Sequence, residues 1–167
     1  MQIGNFNCRQ SGFSLIGVLV LLGIIGLALG EAGSLFSILR QHEREQELLK
    51  IGDQFRIAIG RYYNESPGLV KEYPPSLQAL LRDNRSPTPK RYLRKIPRDP
   101  INGSDIWGTV MSGDNRIIGV YSSSSGVPLK KANFRPLYKS FEGKTSYSDW
   151  RFTYVSQSEA FTGKSVR

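Results

Sequence analysis

The chain has 167 residues, room for one modest domain plus an N-terminal segment, and a formal net charge of +9 from 23 Lys and Arg against 14 Asp and Glu. A single cysteine, Cys8, and a single histidine, His42, exclude an intrachain disulfide, a cysteine-built metal site and a catalytic constellation that needs a second histidine. The cations recur singly or in pairs from Arg40 onward. That dispersal argues for a solvated basic surface and against a dedicated nucleic-acid face, which needs clustering.

The first predicted element is helical and apolar. No charged residue occurs between Gln10 and Gly30. A membrane-crossing helix needs about 20 such residues and the core of a cleavable signal about 7–15, so the run is long enough to span. No proline interrupts the chain before Pro67. Beyond Glu31, Leu48, Ile51, Phe55, Ala58 and Tyr62 recur at steps of three and four, one face of a helix. Arg40, Glu43, Arg44 and Glu47 fill other faces, and His42 lies exposed in the charged stretch HEREQE. The pattern predicts one helix from Phe13 to Tyr63, about 75 Å long at 1.5 Å per residue. Gly23, Gly26, Gly30 and Gly33 line one face of its first half. Small residues at that spacing let helices approach closely in lipid; glycine is also simply common in membrane helices.

Asn64 to Gly68 ends the helix. Three runs of strand type follow: Ile106–Met111, Arg116–Ser122 and Trp150–Val155, with Gly113, Asp114 and Asn115 as a hairpin turn between the first two. The segment VPLKKANF is expected to add an edge strand, restricted to an edge by Pro128. SSSSG, Ser122 to Gly126, reads as a loop. The sheet is expected to pack on Leu48, Phe55, Ile59 and Tyr62. Trp107, Tyr121, Tyr147 and Trp150 read as packing of a small sheet rather than as platforms for bases. Asp99, Asn102 and Asp105 are weak candidates for a hard cation, but DPINGSD reads first as a turn. No catalytic site, cofactor site or established metal site is expected.

Ser-Gly followed by Phe-Ser-Leu-Ile, with the apolar helix opening at the Phe, resembles the class III signal of type IV pilins and type II secretion pseudopilins. YPPSLQALL, Tyr73 to Leu81, resembles the Tyr-Pro segment and short second helix of major pseudopilins. YLRKIPRDP, Tyr92 to Pro100, resembles their Tyr-(Leu/Ile)-x-x-(Leu/Ile)-Pro-x-Asp-Pro segment. The matches cover residues 9–110. The resemblance implies an α+β, type IV pilin-like fold, with a long N-terminal helix packed on a small antiparallel sheet. It implies a leader at 1–12, a transmembrane and filament-core half-helix at 13–37, and a periplasmic head at 38–167. A prepilin peptidase would cut between Gly12 and Phe13 and methylate the Phe13 amine. The implied setting is a Gram-negative inner membrane, crossed once with the N-terminus cytoplasmic. The implied partners are other pseudopilins, a platform protein and a separate secretion ATPase.

The sequence departs from the family pattern at Gly17, where a mature pilin carries Glu at its fifth residue. That carboxylate serves the pairing of subunits and the methylation, and Gly17 supplies none. The C-terminal stretch has only Asp149 and Glu159 where major pseudopilins often hold calcium with an Asp-rich loop. Two other readings stay open. One is a minor pilin of a type IV pilus or DNA-uptake system, to which the positive charge lends weight. The other is a secreted periplasmic binding domain cut after Ala28-Leu29-Gly30, against which stand the single Arg9 before the apolar core and the helix that runs on past the cut.

Overall fold

The computed structural model describes the backbone of residues 11–156 and the side chains of 15–26 and 36–156. The element order is α+β: helix α1 (Ser11–Asn64), then strands β1 (Gly108–Met111), β2 (Ile117–Tyr121) and β3 (Phe152–Thr153), with three short 3₁₀ helices between them. The chain divides into two compact units, Met1–Arg40 and Gln41–Arg167. The second is called the head below.

In the head, α1 buries a stripe. Leu48, Ile51, Phe55, Ala58, Ile59 and Tyr62 are all buried, as the three-and-four spacing predicts. His42 is exposed and bonds to Gln46 one turn on. Two members of the buried face are glycines, and their reason is steric. A Cβ on Gly52 would lie 2.3 Å from the Phe152 ring, and one on Gly60 would lie 2.7 Å from the Tyr154 ring. The aromatic side chains of the β3 region therefore rest directly on the helix backbone.

The sheet is antiparallel, in the order β1-β2-β3. Thr109 faces Val120 and Val120 faces Phe152 across the ladders. The hairpin between β1 and β2 closes where Gly-Asp-Asn predicts a turn, with Ser112 N–H donating to the Arg116 carbonyl at 2.7 Å. Its left-handed residue is Asn115, at φ 56°, a conformation asparagine tolerates better than most residues. The register shifts between Val110 and Met111, so Met111 faces Ile117.

So small a sheet cannot close a core alone. Aromatic side chains from the irregular segments complete it. Phe141 stacks on Trp150 with ring centroids 5.6 Å apart and meets Phe152 edge-on at 5.2 Å. Phe55 packs edge-on against Trp107, whose Nε1 donates to the Pro97 carbonyl at 2.8 Å. Trp107, Tyr147 and Trp150 are buried, which fits the packing role expected of them and not an exposed stacking platform. The expected edge strand over VPLKKANF does not form: residues 127–134 are irregular. The N–H groups of Leu129 and Lys130 bond to the Glu45 carboxylate of α1 instead of to a neighbouring strand. YPPSLQALL yields one 3₁₀ turn, Leu77–Leu80, with Leu80 buried.

The close helix–sheet approach gives a direct test. Gly52→Ala gains up to about 1 kcal/mol of helix propensity but forces the buried Phe152 ring off the helix, and overpacking of that kind costs about 1–3 kcal/mol. A chain beginning at Ile38 is expected to unfold cooperatively in urea. A Cβ 2.3 Å from the ring puts the cost in the upper part of that range, so the substitution should lower the urea midpoint through a net loss of about 1–2 kcal/mol. An unchanged or raised midpoint would show that the ring has free room to move.

Candidate assembly surface and its anchors

Two regions of α1 differ in what they meet. Between Leu15 and Ile25 every large apolar side chain is exposed, from 45% to 64%. Phe36, Ile38 and Leu39 are exposed as well. A Cβ built on Gly17, Gly23 or Gly26 meets nothing within 4 Å. These glycines therefore have no packing role within the described residues. Gly30 and Gly33, and the side chains of Ser11 and Phe13 at the expected cut, lie outside the described side chains, as do the first ten residues of the expected leader, Cys8 among them. Gly12 and Phe13 fall within the backbone of α1. Among the described residues no helix is long and apolar enough to cross a membrane; the side chains of 27–35, inside the expected span, are not among them.

The C-terminus of α1 is held by cations. The last carbonyls of a helix lack intrahelical partners and carry partial negative charge. Arg85 donates to the Tyr62 carbonyl at 2.9 Å, and Lys71 donates to the Asn64 carbonyl at 3.0 Å. The Ser66 hydroxyl also reaches the Tyr62 carbonyl, at 3.1 Å. The Arg85 guanidinium lies 3.5 Å from the centroid of the Tyr62 ring and pairs with Asp83 through two nitrogens, at 2.9 and 2.8 Å. The Tyr92 hydroxyl donates to the same carboxylate. These hydrogen bonds from Arg85, with further help from Tyr92, hold the Asp83 carboxyl below its ordinary 3.8 against the opposing effect of burial. Burial, reinforced by the bond to Asp83, pushes Tyr92 up to about 12.

Glu45 is the anchor that sequence pattern alone did not single out. It lies in the charged stretch HEREQE yet is 1% exposed. Its carboxylate accepts from the Leu129 and Lys130 N–H groups, at 2.5 and 3.2 Å, and from the Tyr147 hydroxyl at 2.8 Å. The available signal was its position three residues before Leu48, on the buried stripe. Asp53 is the third such group. Burial raises its carboxyl, but the Tyr138 hydroxyl at 2.6 Å and Arg56 more than offset that and hold it below 3.8.

The weak cation candidates do not converge. Asp99 is fully buried and uses its oxygens on the Ser122 hydroxyl and the Ile101 N–H. Asn102 bonds Ser104 and Ser123. Asp105 is exposed and ion-paired with Arg98 at 2.9 Å. Among the described residues no group of three potential ligands is placed to hold a metal ion. DPINGSD is a turn, with Gly103 at φ 71° and Asp99 tying it to the end of β2. No family model, curated protein or solved structure matches the chain.

The depressed carboxyls set a direction for acid unfolding. The unfolded chain takes up protons at its ordinary carboxyl values, the folded head only at lower pH. The contribution of Asp83 and Asp53 is therefore fully present above the unfolded value and is lost as pH falls through the folded one. The head should lose stability from roughly pH 4 downward. Asp83→Asn should cost about 1.5–3 kcal/mol near neutrality and flatten that part of the pH profile. Urea unfolding across pH checks it; a parallel profile in the variant would remove Asp83 as a source.

Proposed function

We propose that the chain is a structural subunit of a pilus-like filament, of the pseudopilin type found in type II secretion or a related system, and not an enzyme. The observation that carries the reading is α1 itself. One unbroken helix bears exposed apolar side chains from Leu15 to Ile25 and a buried stripe from Leu48 to Tyr62. Fully burying one such aliphatic side chain stabilises by about 1.5–3 kcal/mol, so an apolar helical surface of this extent calls for lipid or other helices around it.

On this reading the class III signal motif marks the cut after Gly12, and residues 13–37 lie in the Gram-negative inner membrane before assembly. The head stands in the periplasm, and partner pseudopilins cover the apolar face in the filament. The glycines at 23, 26, 30 and 33 let neighbouring helices approach by packing alone. A platform protein and a separate ATPase drive assembly.

Gly17 favours a place in a mixed filament. A carboxylate inside the bilayer is costly unless paired, and in the family it draws in the amine of a neighbouring subunit. This chain brings no such acceptor, while its own Phe13 amine remains free to pair with a Glu-bearing partner. The same asymmetry fits the minor-pilin reading, in which the subunit occupies a limited position in the filament.

Mass spectrometry of the membrane-extracted protein should find Phe13 as the mature N-terminus. An N-terminus at Glu31 would instead support the secreted binding domain and sink the filament reading. Overexpressed alone, the protein should form no long surface filaments under electron microscopy, and Gly17→Glu should gain them. Abundant filaments from the unaltered chain would refute the dependence on a partner.

A further inference from the structure

The head contains a cleft between α1 and the segment leading into the 3₁₀ helix Pro136–Phe141. Its volume is about 570 Å³, within the ~300–1,000 Å³ range of small-ligand sites. Leu49, Lys50 and Asp53 line the helix side; Lys130, Phe134, Arg135 and Tyr138 line the other.

The charges in this cleft do not cancel. Its one carboxylate, Asp53, is already engaged by Arg56 at 3.0 Å and by the Tyr138 hydroxyl. Lys50 and Lys130 form no ion pair among the described residues, and Arg135, though near enough to help lower the Asp53 carboxyl, makes no close pair with it. Glu43 and Glu47 line a neighbouring cleft that shares Lys50, not this one. Three cations against one engaged carboxylate leave the concave surface with an excess of positive charge, which attracts anions.

The wall that carries these cations is held in place. Glu45 fixes the backbone of Leu129 and Lys130 to α1. Asn133, at φ 60°, turns the chain so that Phe134 follows directly. The Lys130 ammonium lies 5.2 Å from the centroid of the Phe134 ring, so cation and aromatic surface occupy the same wall. Leu49 and Tyr138 add apolar surface.

We propose that this cleft binds a small organic anion, a phosphate or carboxylate on a flat apolar body, with Lys50, Lys130 and Arg135 meeting the anionic group and Phe134 the flat body. The inference stands on the head alone and is independent of the assembly reading.

The test uses the full chain in neutral detergent micelles at constant ionic strength, with phenyl phosphate, inorganic phosphate and phenol as probes. The readouts are the thermal midpoint and the tryptophan fluorescence, to which Trp150 contributes; its ring lies 5.3 Å from that of Phe134. Phenyl phosphate should raise the midpoint saturably and perturb the fluorescence; inorganic phosphate should bind more weakly and phenol not at all. Lys50→Glu with Lys130→Glu should weaken phenyl phosphate about tenfold or more. Lys144→Glu, an exposed reversal outside the cleft, should leave it unchanged. Phe134→Leu should bring phenyl phosphate down to the affinity of inorganic phosphate. Absence of saturable binding by phenyl phosphate, or undiminished binding in the double variant, would overturn the proposal.

Discussion

The head depends on how closely the β3 region comes to helix α1, and two missing side chains set that distance. Gly52 and Gly60 lie eight residues apart on one face, and the rings of Phe152 and Tyr154 occupy the space their Cβ atoms would fill. A helix normally gives up stability for interior glycine, about 1 kcal/mol each relative to alanine. Here the loss is offset by aromatic rings that pack flush on the backbone and stay buried or half-buried. Phe152 then contacts Phe141 and Tyr138, Phe141 stacks on Trp150, and Trp150 meets Tyr147. The aromatic layer is thus continuous from the helix to the loops, and shifting its first member displaces the rest.

The periodic parts of this fold were legible in the sequence. The helix runs from Ser11 to Asn64 against an expected Phe13 to Tyr63, and all three strands fall inside the expected runs. These elements are specified locally, by side chains repeating on one face. Segment 127–134 departs from the expected edge strand for an equally physical reason. Its Val, Leu and Phe suggest a strand, but what fixes it is a carboxylate more than eighty residues earlier, which supplies acceptors for two N–H groups that a strand partner would otherwise take. Glu45 itself hid in a charged run whose neighbours Glu43 and Glu47 are exposed. Composition assigns all three to solvent; only the helical phase separates them. The glycines show the same split. Gly52 and Gly60 gave no sequence signal of their own, because a close approach is a property of the partner that arrives there.

Buried carboxylates do for the loops what strands do elsewhere. Glu45 holds the segment around Leu129, Asp83 holds the C-terminal turn of α1 through Arg85, and Asp99 holds its turn to Ser122. Each accepts at least two hydrogen bonds, which is what makes burying a carboxylate tolerable. The arrangement suits a head with little regular structure. A three-stranded sheet satisfies few backbone groups, and side-chain acceptors satisfy N–H groups in segments that pair with no strand.

The same helix meets opposite requirements along its length. In the head its apolar stripe is narrow, and the chain's own aromatic residues cover it. From Leu15 to Ile25 the apolar residues occur all round the helix, since Leu19, Val20, Leu21 and Leu22 are consecutive and all exposed. A stripe fits one partner; a surface apolar on every side fits a medium or a bundle. That difference is why the proposed filament reading rests on α1 rather than on the head. Lipid covers such a helix without specificity. Neighbouring helices can replace lipid only by packing more closely than lipid does, and glycines whose Cβ positions open onto empty space, such as Gly23 and Gly26, provide room for that approach. On the proposed reading, Gly17 brings no charge at the position where family members place one, and assembly of this subunit leans on contact area more than on an ion pair.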